Sequence, residues 1–136
     1  MNPTQTMREF AIGKTLALMD DLLSVMKHAV DAPDEEAVHK VRVAIRRFQQ
    51  ALRLFRQYLK SSGVEKVKAK LHAIMQIAGE LRNRDIAIAL TKDAGANTIV
   101  LADQRAELDR QFTALIRPLT YEGFGGKWRR QLGLDI

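Results

Sequence analysis

Apolar residues recur every three or four positions along most of this chain, and only three prolines, Pro3, Pro33 and Pro118, interrupt the pattern. Such spacing puts the apolar side chains on one face of a 3.6-residue helix. A strand would need strict alternation, and no sustained alternation occurs. The glycines cluster late, so long uninterrupted segments remain between the breakers. An all-α fold is the expectation.

Four helices follow from the breakers. The first is expected over about 4–30, with Leu16, Met19, Leu23, Met26 and Val30 on its apolar face. Asp31-Ala32-Pro33-Asp34 ends it. Pro33 with Asp34, Glu35 and Glu36 then suits the opening turn of a second helix, where acids meet the positive end of the helix dipole. That second helix is expected over 35–60, closed by Ser61-Ser62-Gly63. A third is expected over 64–91, followed by the breaker "DAGAN", and a fourth over 98–117, stopped by Pro118. The Gly-rich tail, 119–136, would form at most one short helix. Short turns between long helices make antiparallel neighbours, so the expected architecture is an up-down four-helix bundle in a single domain spanning 1–136.

Helix 2 carries two faces. Val41, Ile45, Phe48, Leu52, Phe55 and Leu59 form an apolar seam at about 100° per residue. Beside it runs a row with the same spacing: His39, Arg42, Arg46, Gln49, Arg53, Arg56 and Lys60. Arg47 and Lys40 project from another side. Between Val38 and Lys60 there are seven lysines and arginines and no acid, while the whole chain carries +6, so the remainder sums to −1 (6 less 7). Exposed helices usually mix signs, because like charges at i, i+4 cost a few tenths of a kcal/mol each. A polyanion lying along the helix would reverse that cost. Arginine suits the task, since its planar fork grips phosphate oxygens in pairs.

On helix 3 the stripe Val67, Leu71, Ile74, Ala78, Leu81 and Ile88 has an acid, Asp85, in its midst. A bare buried carboxylate is costly, so it is either protonated or paired. Arg82 and Arg84 flank it, and an arginine of helix 2 would be within reach, so Asp85 is expected to organise a guanidinium and to do no chemistry. His72 is expected to be structural or solvated, and His28 to complement the end of helix 1. Lys127-Trp128-Arg129-Arg130 in the tail is a weaker basic candidate.

Other classes find little support. There is no cysteine, hence no disulfide or thiolate chemistry, and three scattered histidines do not make a zinc spacing. No Gly-rich phosphate loop, G-x-S-x-G or nucleotide fingerprint occurs. No signal peptide or membrane span is recognisable, which makes the cytoplasm the expected compartment. A sequence pI near 9.9 points to an anionic partner.

Two motifs carry a family resemblance. "HKVRVAIRRFQQALRLF" resembles the signature helix of the CHAD family, the conserved histidine α-helical domain: His39, Arg42, Val43, Arg46 and Arg47 fall on H-x-x-R-V-x-x-R-R, with Leu52 and Phe55 at apolar positions. "GELRNRDI" is similar to the family's G-x-x-R-D-x-D-V and places Arg82 and Asp85 on its arginine and second aspartate. Gln49 stands where the family often has arginine, and Asn83 replaces the first aspartate. The resemblance covers about residues 7–128.

That resemblance implies non-catalytic binding of inorganic polyphosphate and association with polyphosphate granules, with no cofactor or metal. The residues expected to bind are His39, Arg42, Arg46, Arg47, Arg53, Arg82, Arg84 and Lys14, with Asp85 as organiser. A full CHAD domain has two similar bundles and this chain has length for one, so a homodimer would rebuild the pair. The alternatives are a nucleic-acid binder, a scaffold for an acidic protein partner, and a polyphosphate hydrolase.

Overall fold

The computed structural model describes residues 5–135. Among them there are five α-helices and no strand: α1 (Met7–Asp31), α2 (Glu35–Leu54), α3 (Ser61–Asp93), α4 (Ile99–Ile116) and α5 (Phe124–Leu132). Two 3-10 turns, Arg56–Tyr58 and Arg117–Leu119, follow α2 and α4. The all-α expectation holds. The expected start at Thr4 and the last tail residue, Ile136, lie outside the described residues.

Helix starts follow their capping chemistry. The Thr6 hydroxyl accepts the Glu9 amide at 3.1 Å and opens α1. Asp34 accepts the Ala37 amide at 2.8 Å and opens α2, with Glu35 and Glu36 in its first turn. Asn97 accepts the Ile99 amide at 2.8 Å where α4 begins.

The end of α2 corrects the sequence reading. The helix stops at Leu54, six residues before the expected boundary. Phe55 leaves helical geometry (φ −106°, ψ 16°) and Leu59 is extended (φ −116°, ψ 160°). Contacts with other elements account for the departure. The Phe55 ring meets Phe10 of α1 edge-on at 6.1 Å, and the Lys60 amide donates to the Leu132 carbonyl at 3.0 Å. Phe55 and Leu59 are accordingly only partly buried. Ser61-Ser62-Gly63, expected as a breaker, is instead the first turn of α3. Gly63 is required there by close approach, because a Cβ would overlap the Gln131 carbonyl at the end of α5.

The core is one continuous cluster. It takes Ile12, Met19, Leu22 and Met26 from α1, Val41, Ile45, Phe48 and Leu52 from α2, and Val67, Leu71, Ile74, Ala78 and Leu81 from α3. Leu108, Phe112 and Ile116 come from α4. Leu16, Leu23 and Val30 of the expected first seam are only partly buried. Thr15, buried on α1, satisfies its hydroxyl by donating to the Ala11 carbonyl at 2.8 Å.

The tail is part of this core. Phe124, Trp128 and Leu132 of α5, with Leu134 after it, are all buried. Trp128 stacks on Phe48 at 6.0 Å with 18° between the rings. Its indole therefore serves packing, and fully burying a side chain of this kind contributes on the order of 2–3 kcal/mol. Beyond Leu81 on α3 and before Leu108 on α4 no side chain is fully buried, so these two segments extend past the main core as a hairpin. No helix among the described residues is long and apolar enough to cross a membrane.

Candidate anion-binding face

The burial of Val41, Ile45, Phe48 and Leu52 fixes the rotation of α2. One quarter turn from that seam, Arg46 and Arg53 are exposed and Arg42 is half-buried. With α2 ending at Leu54, the helical row runs from His39 to Arg53 only, about 21 Å at ~1.5 Å per residue.

Arg42 is the centre of the face. Burial, then the positive charges of Arg46 and Arg82, push its pKa below the ordinary guanidinium value. The Arg42 Nε is buried and has no hydrogen-bond acceptor among the described residues. Arg82 belongs to α3, so two helices bring three guanidinium groups into one electrostatic neighbourhood. None of the three has a carboxylate within 4 Å among the described residues. Such an arrangement favours an anion that can accept from several donors at once.

The face continues toward the other end of α2. Gln49, Arg53 and Arg56 stand opposite Lys68 of α3 across a groove of about 430 Å³ floored by Leu52 and Val64. Arg53 thus lies by Lys68, while Arg42 lies by Arg82, which means α2 and α3 run in opposite directions. Lys68 and Arg82 share one flank of α3 because fourteen residues make nearly four full turns. The two helices form facing rails of positive charge. Arg56 is partly neutralised, since its Nη2 is hydrogen-bonded to Glu65. Lys68 was not among the sequence candidates, although its heptad offset from Met75 and Arg82 is a signal that would have found it.

Other candidates lie elsewhere. His39 and Arg47 line a separate groove of about 380 Å³ between α1 and α2, with Lys40, Ser24 and the acidic Asp21. Lys14 is exposed on α1 and lines neither groove. Arg84 turns to α4, where its Nε–H donates to Gln104 Oε1 at 2.9 Å.

Asp85 also turns to α4. The expectation of a partner on α2 or among its neighbours Arg82 and Arg84 is corrected: Arg105 Nε donates to Asp85 Oδ1 at 2.6 Å. The same guanidinium lies 3.9 Å from Asp109. Both partners of the shorter contact are largely buried, with side chains 20% and 11% exposed for Arg105 and Asp85. Burial, opposed by Arg105 and assisted by Asp85, raises the Asp109 pKa above its ordinary value. Arg105 escaped the sequence reading because α4 is mixed in sign. Among the described residues no group of three His, Cys, Asp or Glu side chains is placed to share a metal ion.

A family model described as CHAD domain matches residues 16–132, most of the 136-residue chain. No curated protein and no solved structure matches it.

Proposed function

The chain belongs to the CHAD domain family, and on that premise we propose that it binds inorganic polyphosphate, without catalysis, along the face between α2 and α3. The family is associated with polyphosphate binding. The observation that carries the reading here is the convergence of Arg42, Arg46 and Arg82, three guanidinium groups with no ion-pair partner among the described residues. Arg53 and Lys68 extend the contact, and a flexible phosphate chain can follow both rails. His39, Arg47, Lys14 and Arg84 contribute at the periphery, and Asp85 acts through Arg105 by stiffening the α3–α4 pair. In the same reading α1 to α4 form an up-down bundle, two copies pair about a twofold axis, and the protein associates with cytoplasmic polyphosphate granules. A single mass for the monomer in light scattering at micromolar concentration would remove the pairing.

Nucleic acid is the main competitor, since any polyanion releases counterions on binding and weakens with salt. Recognition of single strands uses exposed aromatic faces for stacking. Phe48 is buried, and Trp128 is stacked on it in the core, which supports polyphosphate as the better-matched ligand.

The test is a titration with long-chain polyphosphate at rising salt, with duplex DNA and RNA as competitors at equal phosphate concentration. Arg42→Ala/Arg46→Ala is compared with the exposed control pair Arg110→Ala/Arg117→Ala, which lines neither the α2–α3 groove nor its neighbours. Salt-sensitive binding that outcompetes nucleic acid and is lost only in the α2 variant supports the proposal; equal binding by both variants contradicts it. Phosphate release in the presence of magnesium or manganese would instead indicate a hydrolase.

A further inference from the structure

A second basic surface lies where three separate segments meet at one end of the molecule. Arg8 from the start of α1, Tyr58 and Lys60 from the turn after α2, and Arg130 from α5 line a common cavity of about 690 Å³. Its position follows from the departures noted in the fold. The chain turns at Phe55 instead of continuing as a helix, and the Lys60 amide is held by the Leu132 carbonyl. The aliphatic stem of Lys60 lies against Gly133, where a Cβ would stand 3.0 Å from the Lys60 Cγ. Gly133 also has φ +69°, so two constraints keep a side chain out of that position.

The charges of this cavity are unbalanced. Arg8, Lys60 and Arg130 form no ion pair among the described residues. Among the described residues the single carboxylate on the wall, Asp135, is 3.3 Å from Arg129 Nε and is directed to that neighbour. Among the described residues three cations stand against one anion, +2 (3 less 1) at the cavity, and the partial neutralisation of Asp135 by Arg129 leaves the cations freer still. The cavity is also continuous in sequence with the groove between α2 and α3: Arg56 lines the groove, and Gln57, the next residue, lines the cavity.

We infer that this cavity binds the terminal phosphate of an inorganic oligo- or polyphosphate, a role that rests on the polyphosphate reading of the neighbouring face. An interior phosphate of such a chain carries one negative charge. A terminal phosphate carries up to two, because its second ionisation falls near pH 6. The compact +2 site matches the terminus, whereas the extended rails of α2 and α3 match the interior. A chain whose end is held here runs past Arg56 into the groove by Arg53 and Lys68.

The experiment is an amide-resolved NMR titration of the full chain with three ligands: inorganic tripolyphosphate, long-chain polyphosphate, and long-chain polyphosphate with both ends chemically blocked. Saturable shifts at Tyr58, Lys60 and Gly133 with the two open-ended ligands, absent with the blocked one, are expected. Arg8→Gln/Lys60→Gln/Arg130→Gln should abolish those shifts and leave the blocked chain bound along α2 and α3. All three residues are exposed, and a thermal melt verifies that the variant is folded. Equal shifts at Lys60 with blocked and open chains, or shifts unchanged in the triple variant, would overturn the inference. Shifts with tripolyphosphate alone would overturn chain-end binding in favour of a site for free oligophosphate. If long-chain ligand fails to bind anywhere in the wild type, the reading of the α2–α3 face fails separately.

Discussion

Arg42 and Arg105 are both partly buried arginines beside α3, yet their surroundings are opposite. Arg105 is held by Asp85 at 2.6 Å and lies 3.9 Å from Asp109. Arg42 feels the charges of Arg46 and Arg82, and its Nε has no acceptor among the described residues. The first is a charge the fold needs and neutralises internally. The second costs folding energy through desolvation and like-charge proximity, a cost that an anion bound there, as proposed, would offset. A residue type alone therefore says little about role; its unmet demand says more.

The contrast can be broken most severely at Asp85. Replacing it by alanine leaves the Arg105 guanidinium largely buried without its main partner, and a loss of about 3 kcal/mol is expected in urea denaturation. Polyphosphate affinity of the folded variant should stay close to wild type. A normal denaturation midpoint would mean that the Asp85–Arg105 pair does not support the α3–α4 contact.

Arg82→Gln addresses the other side. Affinity for long-chain polyphosphate should fall about tenfold, equivalent to roughly 1.4 kcal/mol, in calorimetry at fixed salt. Stability should remain within about 0.5 kcal/mol, because an exposed cation near two others is removed. Glu65→Gln sharpens the comparison in the opposite direction. It releases Arg56 at the edge of the groove, so affinity should rise two- to fivefold, about 0.4–1 kcal/mol. An unchanged affinity would place Arg56 outside the bound path.

The smallest effect concerns Asp109. Its folded pKa is raised, so the native protein holds this proton more readily than the unfolded chain does. The ionised group therefore costs stability above the folded pKa, and the cost disappears as pH falls below the unfolded value. Asp109→Asn should stabilise by less than about 0.5 kcal/mol at neutral pH. That gain should shrink as pH falls toward 3.8, the group's ordinary value. A gain that grows on acidification would contradict the sign of the shift.

How much of this was legible before the structure depended on whether the cause was local. The start of α2 was readable because Asp34 and the two glutamates act within one turn. Its end was not. Phe55 and Leu59 keep a helical spacing, and what turns the chain is the Phe10 ring and the Leu132 carbonyl, both distant in sequence. The basic row was visible from charge and periodicity on one helix. Its division was not, because which flank of α2 faces α1 and which faces α3 depends on packing: His39 and Arg47 went to one groove, Arg42 and Arg53 to the other. Asp85 was recognised as needing a partner, but Arg105 sits twenty residues away on a helix of mixed charge. Trp128 looked like part of a basic tail until Phe48 proved to be its neighbour.

The most direct measurement is chemical denaturation of wild type and Arg42→Gln/Arg46→Gln/Arg82→Gln, each with and without long-chain polyphosphate. Without ligand the triple variant should be as stable as wild type or more so, since like-charge crowding is relieved. With ligand the wild-type midpoint should rise and the variant's should stay in place, because only a ligand that binds the native state stabilises it. A variant that is less stable alone, yet gains as much from polyphosphate as wild type does, would contradict the account.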